Sequence, residues 1–503
     1  MLSIFDQGRP AACPTPFNLA AHVLGRADAR ADHPAIVIAS AHQEDEVWTY
    51  RQIQNAALGI ATGLREKGFT PGDILLMRLG NTIDFPLCFL GAIAAGLVPV
   101  PTAAQLTEPE VARIMAELSP AGMLLDPRIA HVPHPRSLEI DQLRAMWHLP
   151  PAPYDMGAPD RMAYLIYTSG TGGSPRAVAH AHRAIWARQM MIRDWYDLHP
   201  DDRLLHAGAF NWTFTLGTGI LDPLTVGATA IIPAQDRDIA DIPQILKQSS
   251  ATLFAAVPGV YRKILKSEQL PDLPHLRHGL AAGEKLSGEI RDLWRQRIGT
   301  EIYEAFGMSE CSTFISSAPH RPADGVALGT PQRGRKLAIL AEDGPVEIGQ
   351  EGVIAIHRED PGLMLGYHGA PEATHARFQG AWFVTGDRGV MSESGQIRYC
   401  GRDDDMMNAG GFRLSPLEVE KAFATCDGIT EFAVAEVEVK PDVHIIVGFY
   451  TGREDVTETR LRAFAEAELA DYKRPKAYMR LAHMPSNPNG KLLRRALPDL
   501  FKE

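Results

Sequence analysis

Through the first 350 residues, short apolar runs alternate with longer stretches of helical periodicity. The runs PAIVIAS (34–40), GDILLMRLG (72–80), AGMLLD (121–126), ATAIIPA (228–234) and ATLFAAVP (251–258) read as strands. The first two precede helical patterns from about Tyr50 to Lys67 and from about Thr82 to Ala95. Such alternation predicts α/β layers with buried sheets. The stretch FPLCFLGAIAAGLVPVPTAA (85–104) is about as long as a membrane span, but Pro86, Pro99 and Pro101 interrupt it. It is better read as a buried helix leading into a strand.

The pattern changes near YCGRDDDMMNAGGFRLSPLEVE (399–420), where three consecutive aspartates and a Gly-Gly pair suggest a hinge. Beyond it, helical PLEVEKAFATC and ETRLRAFAEAEL bracket strand-like EFAVAEVEV and HIIVGFY, a small α+β domain. Residues 472–498 carry Lys473, Arg474, Lys476, Arg480, Lys491, Arg494 and Arg495 and no acid. That run reads either as an anion-attracting patch or as a solvated surface.

Composition narrows the class. A chain of 503 residues allows roughly three structural units. Hydrophobic residues make up 45% and charged residues 22%, as in ordinary globular enzymes. Fifty basic against 61 acidic residues give a net charge of −11, which argues against a general nucleic-acid binder. The five cysteines are scattered without a CxxC pair, so neither a metal framework nor disulfides are expected, and a reducing cytoplasm is. MLSIFDQGRP has no basic region followed by an apolar run, so no signal peptide is expected.

The chemistry is announced by YTSGTGGSPRAVAHAH (167–182). Backbone N–H groups of a Gly/Ser/Thr loop can turn inward onto phosphate oxygens, with small hydroxyls adding donors. The stretch is not GxxxxGK[ST], and Pro175 keeps Arg176 from serving as the lysine of that motif. Taken alone, it is either a structural turn or a phosphate loop.

Four further motifs follow in order: EAFGMSE (304–310), WFVTGDRG (382–389), GRDDDMMNAGGFRLSPLEVE (401–420) and NPNGKLLRR (487–495). Together the set resembles the adenylate-forming superfamily of acyl-CoA synthetases, aryl-acid ligases, peptide-synthetase adenylation domains and luciferases. The resemblance covers essentially the whole chain. It implies an α/β fold with a large N-terminal AMP-binding domain, 1–401, made of two α/β subdomains and a small β subdomain. A small mobile α+β domain, 402–503, would be a lid carrying the catalytic lysine.

By the same resemblance, Thr168, Ser169, Gly170, Thr171, Gly173 and Arg176 would belong to the ATP-phosphate loop. Ser309 would contact the α-phosphate and Glu310 would help hold Mg²⁺. Phe306 and Gly307 would lie against adenine, with Gly283 and Glu284 of AAGE at its edge. Asp387 would accept from the ribose hydroxyls, with Arg402 in support. Lys491 would bridge carboxylate and α-phosphate, a task suited to a mobile point charge with three donors. Asp404 takes the hinge position, and Gly410 and Gly411 would line a tunnel for the pantetheine arm of coenzyme A. The sequence departs from the family pattern at Gly172, Arg176, Ala177, Asn408 and Asn489. None of these removes the residue bearing the main charge.

The segments HAGAFNWTFTLGTG (206–219) and ECSTFISS (310–317) occupy the places of the family's acyl pocket. Phe210, Trp212 and Phe214 offer apolar faces, with Thr313 across the pocket. Asn211 stands where peptide-synthetase domains use an aspartate for an α-amino group, so a free amino acid is not expected. These segments most resemble benzoate–CoA ligases and related aryl- or medium-chain acyl-CoA synthetases. The expected activity is ATP-dependent conversion of an aromatic or compact apolar acid to acyl-AMP and then to its CoA thioester. Loading of a separate carrier protein is the alternative, and an assembly as a homodimer is left open. A phosphotransferase using the loop as a kinase would, and a nucleotide binder without catalysis, are the rivals of other classes.

Overall fold

The computed structural model describes residues 1–40, 44–168, 176–234, 238–403, 407–409, 412–440, 443–469, 473–487 and 491–502. The chain forms two compact units: Phe5–Leu337 with Ile356–Phe383, and Met1–Ile4 with Ala338–Ala355 and Val384–Glu503.

The larger unit is built on a nine-stranded sheet. Its parallel centre runs Glu301–Met308, His278–Ala281, Leu253–Ala256, Arg203–His206, Thr229–Pro233, Pro34–Ala39. Antiparallel strands Ser312–Ser316 and Glu46–Thr49 flank it. The run Ile36–Val37–Ala39 is buried on both faces, which is why it shows no polar alternation. A second, parallel sheet has the order Val98–Pro101, Ile74–Arg78, Gly122–Leu125, Ser137–Glu139. The prolines of Val98–Pro101 are tolerated because that strand is at the sheet's edge. A third, antiparallel sheet joins Gly366–Tyr367, Arg176–Ala181 and Met162–Thr168.

Two helices show how the pattern becomes structure. Tyr50–Glu66 starts at a capping box: Thr49 Oγ1 accepts from the Gln52 amide at 3.3 Å, and Gln52 Oε1 accepts from the Thr49 amide at 2.8 Å. Its apolar face, Ile53, Ala57, Ile60 and Leu64, packs into the main core. The helix Asp84–Ala94 is buried at every residue, as its unbroken apolar run demands. Its one charge, Asp84, is held by two bonds from Arg144, each 2.9 Å. Pro86 falls in the first turn, where no intrahelical N–H is lost.

The strand Trp382–Met391, most of which belongs to the other unit, pairs antiparallel with Ile397–Arg402 in a register that sets Asp387 opposite Arg402. Farther along that unit, Ile429–Lys440 pairs antiparallel with Val443–Gly452, which pairs parallel with Ala477–Arg480. Helices Pro416–Phe423 and Glu458–Glu468 pack on this sheet, where Phe423 stacks on Phe432 at 3.9 Å. The basic run is not uniformly solvated. Arg494 is mostly buried, with Nη2 3.1 Å from Glu420 Oε2 and Nη1 2.6 Å from the Val434 carbonyl.

Candidate active site

In the larger unit, the hairpin Glu301–Met308/Ser312–Ser316 presents Ser309 and Glu310 at its turn. The pairing shifts register between Phe306 and Gly307. Gly307 permits that close approach: a Cβ would run into the Ser312 carbonyl and the Thr313 Cα, both backbone. Phe306 meets Phe314 edge-on at 5.4 Å. Upstream, Glu304 accepts from the Leu286 amide at 2.9 Å and from Lys285 Nζ at 3.0 Å. These bonds tie the AAGEK turn to the hairpin strand.

Glu310 has an anchor that the motifs did not reveal. Tyr367 donates its hydroxyl to Glu310 Oε1 at 2.7 Å. Burial and the neighbouring Glu310 both push the Tyr367 phenol upward, so it stays a donor at neutral pH. The Arg176 guanidinium sits 5.1 Å from the Tyr367 ring centroid, a cation–π geometry. Through one tyrosine, then, the residue leaving the glycine-rich loop and the expected Mg²⁺ carboxylate are brought together. Glu310 Oε2 takes no hydrogen bond among the described residues. One free carboxylate oxygen beside phosphate oxygens is a donor set that Mg²⁺ accepts. No group of three or more His, Cys, Asp or Glu suited to a metal occurs among the described residues.

Ser309 is held by a second unforeseen residue: His180 donates to its carbonyl at 2.8 Å. The carbonyl can only accept, which fixes the proton on Nε2. Burial lowers His180 to about 4.

The acyl-pocket candidates divide. Trp212 is half-buried beside Gly283, whose φ is +92° and whose Cβ would fall 2.9 Å from the indole edge. Asn211 is half-buried, and Thr313 is 8% exposed with its hydroxyl unpartnered. Phe210, expected to wall the pocket, is 1% exposed and its ring packs 5.1 Å from Phe85. The Phe210 amide donates to Asn81 Oδ1 at 3.0 Å. Phe214 likewise lies in the interior, between His206 at 4.4 Å and Trp195 at 5.8 Å, with its edge against Trp212.

In the smaller unit, Asp387 is buried, accepting from the Tyr399 hydroxyl at 3.0 Å and lying 3.5 Å from Arg402. The Asp387 amide donates to Thr385 Oγ1 at 3.1 Å. Lys491 is exposed, in a turn where its amide donates to Asn487 Oδ1 at 2.9 Å and its carbonyl accepts from the Asn487 amide at 2.9 Å. Ser169, Gly170, Thr171, Gly173, Asp404, Gly410 and Gly411 lie outside the described residues, as does the side chain of Thr168.

Residues 25–368 match the model of the AMP-binding enzyme family, and residues 418–491 match that of the AMP-binding enzyme C-terminal domain. Benzoate–CoA ligase of Thauera aromatica is 29% identical over 480 residues, covering 89% of this chain and 90% of that protein. The 4-hydroxybenzoate–CoA/benzoate–CoA ligase of Rhodopseudomonas palustris is 27% identical, covering 90% and 89%. In fold, the chain is similar to a benzoate CoA ligase from Burkholderia xenovorans, with TM-score 0.85, 24% identity, and 96% and 100% of the two chains covered. ATP-bound MatB from Rhodopseudomonas palustris gives TM-score 0.86 at 22% identity, covering 97% and 99%.

Proposed function

The chain belongs to the AMP-binding enzymes, and from that premise we propose that it joins a carboxylic acid to AMP, releases pyrophosphate, and passes the acyl group to CoA. It is an acid–thiol ligase of the AMP-forming kind. The single observation that carries the site-level reading is the hairpin turn at Ser309–Glu310, with Tyr367 tying Glu310 to Arg176.

In this reading the carboxylate oxygen attacks the α-phosphorus of ATP, a P–O bond forms, and the bond to the departing pyrophosphate breaks. Ser309 holds the α-phosphate, while Arg176 and the loop from Thr168 to Gly173 hold the outer phosphates. Glu310 would hold Mg²⁺, which supplies charge neutralisation to the phosphates. Asp387, oriented by Tyr399 and Arg402, accepts the ribose hydroxyls, and Phe306 and Gly307 flank adenine. Lys491 draws acid and α-phosphate together. A thiol then attacks the acyl carbon, and AMP leaves. We place this second step in a movement of residues 402–503 about Asp404, with Gly410 and Gly411 beside the thiol's arm.

The acid is an aromatic or compact apolar one, supported by Trp212, Thr313 and the uncharged Asn211. The kinship with benzoate-activating relatives agrees with that. A carrier protein is the alternative thiol. No described helix is long and apolar enough to cross a membrane.

The test is pyrophosphate release from ATP and Mg²⁺ across benzoates and short-to-medium fatty acids, with and without CoA. One class of acid should give pyrophosphate, and CoA should raise turnover. Lys491→Ala should lower adenylation by about 10²–10³-fold, the scale on which loss of one transition-state donor is felt. ADP in place of AMP would overturn the reading.

A further inference from the structure

In the larger unit, beside Ser309, lies a cavity of about 20 Å³, space for a single water-sized group. Its lining includes His180, Arg188, Gly217, Ser309 and Ser312. The polar groups of these lining residues form a matched set.

His180 is 3% exposed and stacks on Tyr164 with centroids 4.8 Å apart. Its Nε2 donates to the Ser309 carbonyl, so Nδ1 carries the lone pair. That Nδ1 is buried and has no hydrogen-bond partner among the described residues. Arg188 supplies the opposite polarity. Its Nε and Nη2 donate to the two oxygens of Asp222 at 2.7 and 2.6 Å, and its Nη1 donates to Ser312 Oγ. Tyr196 adds a bond to Asp222 at 2.8 Å. Nη1 carries two N–H groups; the Ser312 bond occupies one.

Arg188 and Asp222 cancel each other's charge, so a further anion in the cavity would be uncompensated. A neutral group that both donates and accepts is what remains. The surrounding backbone is shaped for this arrangement. Gly217 sits in the π-helical segment Thr215–Leu221, and a Cβ there would run into the Arg188 guanidinium. Ser312 holds a left-handed φ of 61°, a conformation that only special surroundings maintain in a non-glycine residue.

We propose that this cavity is a hydroxyl-binding subsite of the acyl pocket: a hydroxyl on the acid donates to His180 Nδ1 and accepts from Arg188 Nη1. The native acid is therefore a hydroxylated one, not its unsubstituted parent. The inference rests on the acid–thiol ligase reading, because that reading puts the α-phosphate, and so the acid's carboxylate, at Ser309.

The experiment compares kcat/KM for pyrophosphate release between matched acids: benzoate against its ortho, meta and para hydroxy derivatives, and butyrate against hydroxybutyrates. A site built to bond a hydroxyl rejects the acid that lacks it, so one hydroxy acid should exceed its parent by about 100-fold or more. In His180→Gln the amide nitrogen can still reach the Ser309 carbonyl while the Nδ1 acceptor is lost. That variant should shrink the preference at least about tenfold, and Ser312→Ala should also reduce it. The ratio is taken within one protein preparation, so a partial loss of folded enzyme cancels. Equal rates for hydroxylated and parent acids in the native enzyme would overturn the inference, leave the ligase reading intact and reduce the cavity to a water site. A preference unchanged in both variants would also overturn it. Absence of pyrophosphate with every acid would instead bring down the ligase reading, and this inference with it.

Discussion

Tyr367 uses both ends of one side chain, its hydroxyl on Glu310 and its ring under Arg176. Tyr367→Phe keeps the ring and removes the hydroxyl. Net bonds to charged groups are worth about 1.5–3 kcal/mol, so kcat/KM for ATP should fall about 10- to 100-fold. The same bond stabilises the folded chain, so the unfolding midpoint should fall as well; steady-state kinetics with thermal unfolding on the same sample checks both. Asp387 carries the ribose prediction. Asp387→Asn should raise KM for ATP about tenfold. 2′-Deoxy-ATP should be a poorer substrate for the native enzyme while costing the variant almost nothing further. Equal losses for the two proteins would remove the ribose from Asp387. Glu310 and Asp387 stood out in the sequence because each lies inside a local motif. Tyr367 and His180 did not, since each acts on a residue more than 50 positions away and nothing in their own neighbourhoods says so.

At the scale of elements, the hairpin that ends at Ser309 depends on Gly307. Gly307→Ala must push two strands apart, because the added methyl meets backbone and not a movable side chain. The expected cost is about 1–3 kcal/mol of stability. Activity should fall more steeply than that, since the displaced turn carries Ser309 and Glu310; denaturant unfolding beside turnover separates the two effects. Periodicity located the regular elements well. The helix expected at Tyr50 to Lys67 spans Tyr50–Glu66, and the apolar run at 85–104 is a buried helix, Asp84–Ala94, followed by the strand Val98–Pro101. At 206–219 the closely spaced aromatics read as pocket lining; Phe210 and Phe214 are buried while Trp212 stays partly open. The π-helical Thr215–Leu221 was hidden, because an extra residue per turn blurs the period that a helix is recognised by.

Across the whole molecule, the acid response should be set by histidines before carboxylates. Burial lowers His22, His180, His182 and His278 from the ordinary 6.5 to about 4 each. The unfolded chain takes up these protons near 6.5 while the folded chain refuses them until about 4. Stability is therefore full above pH 6.5 and is lost as the pH falls through that window. The unfolding midpoint should start to drop just below pH 6.5. His22→Phe should flatten the slope, since His22 lies among the rings of Phe17 and Trp186 with Nε2 unpartnered. A midpoint flat from pH 7 to pH 4 would refute the assignment.

The order of the nine-stranded sheet also sets a timetable. Pro34–Ala39 lies between Glu46–Thr49, made almost at once, and Thr229–Pro233, made about 190 residues later. At about 5–20 residues per second, the ribosome needs on the order of 10–40 s to supply that second neighbour. Throughout that interval an early strand with one side unpaired is already outside the tunnel, its Ile36, Val37 and Ile38 destined for the interior. Synthesis rate and chaperone supply, and not only the stability of the finished enzyme, should therefore affect how much of it a cell obtains.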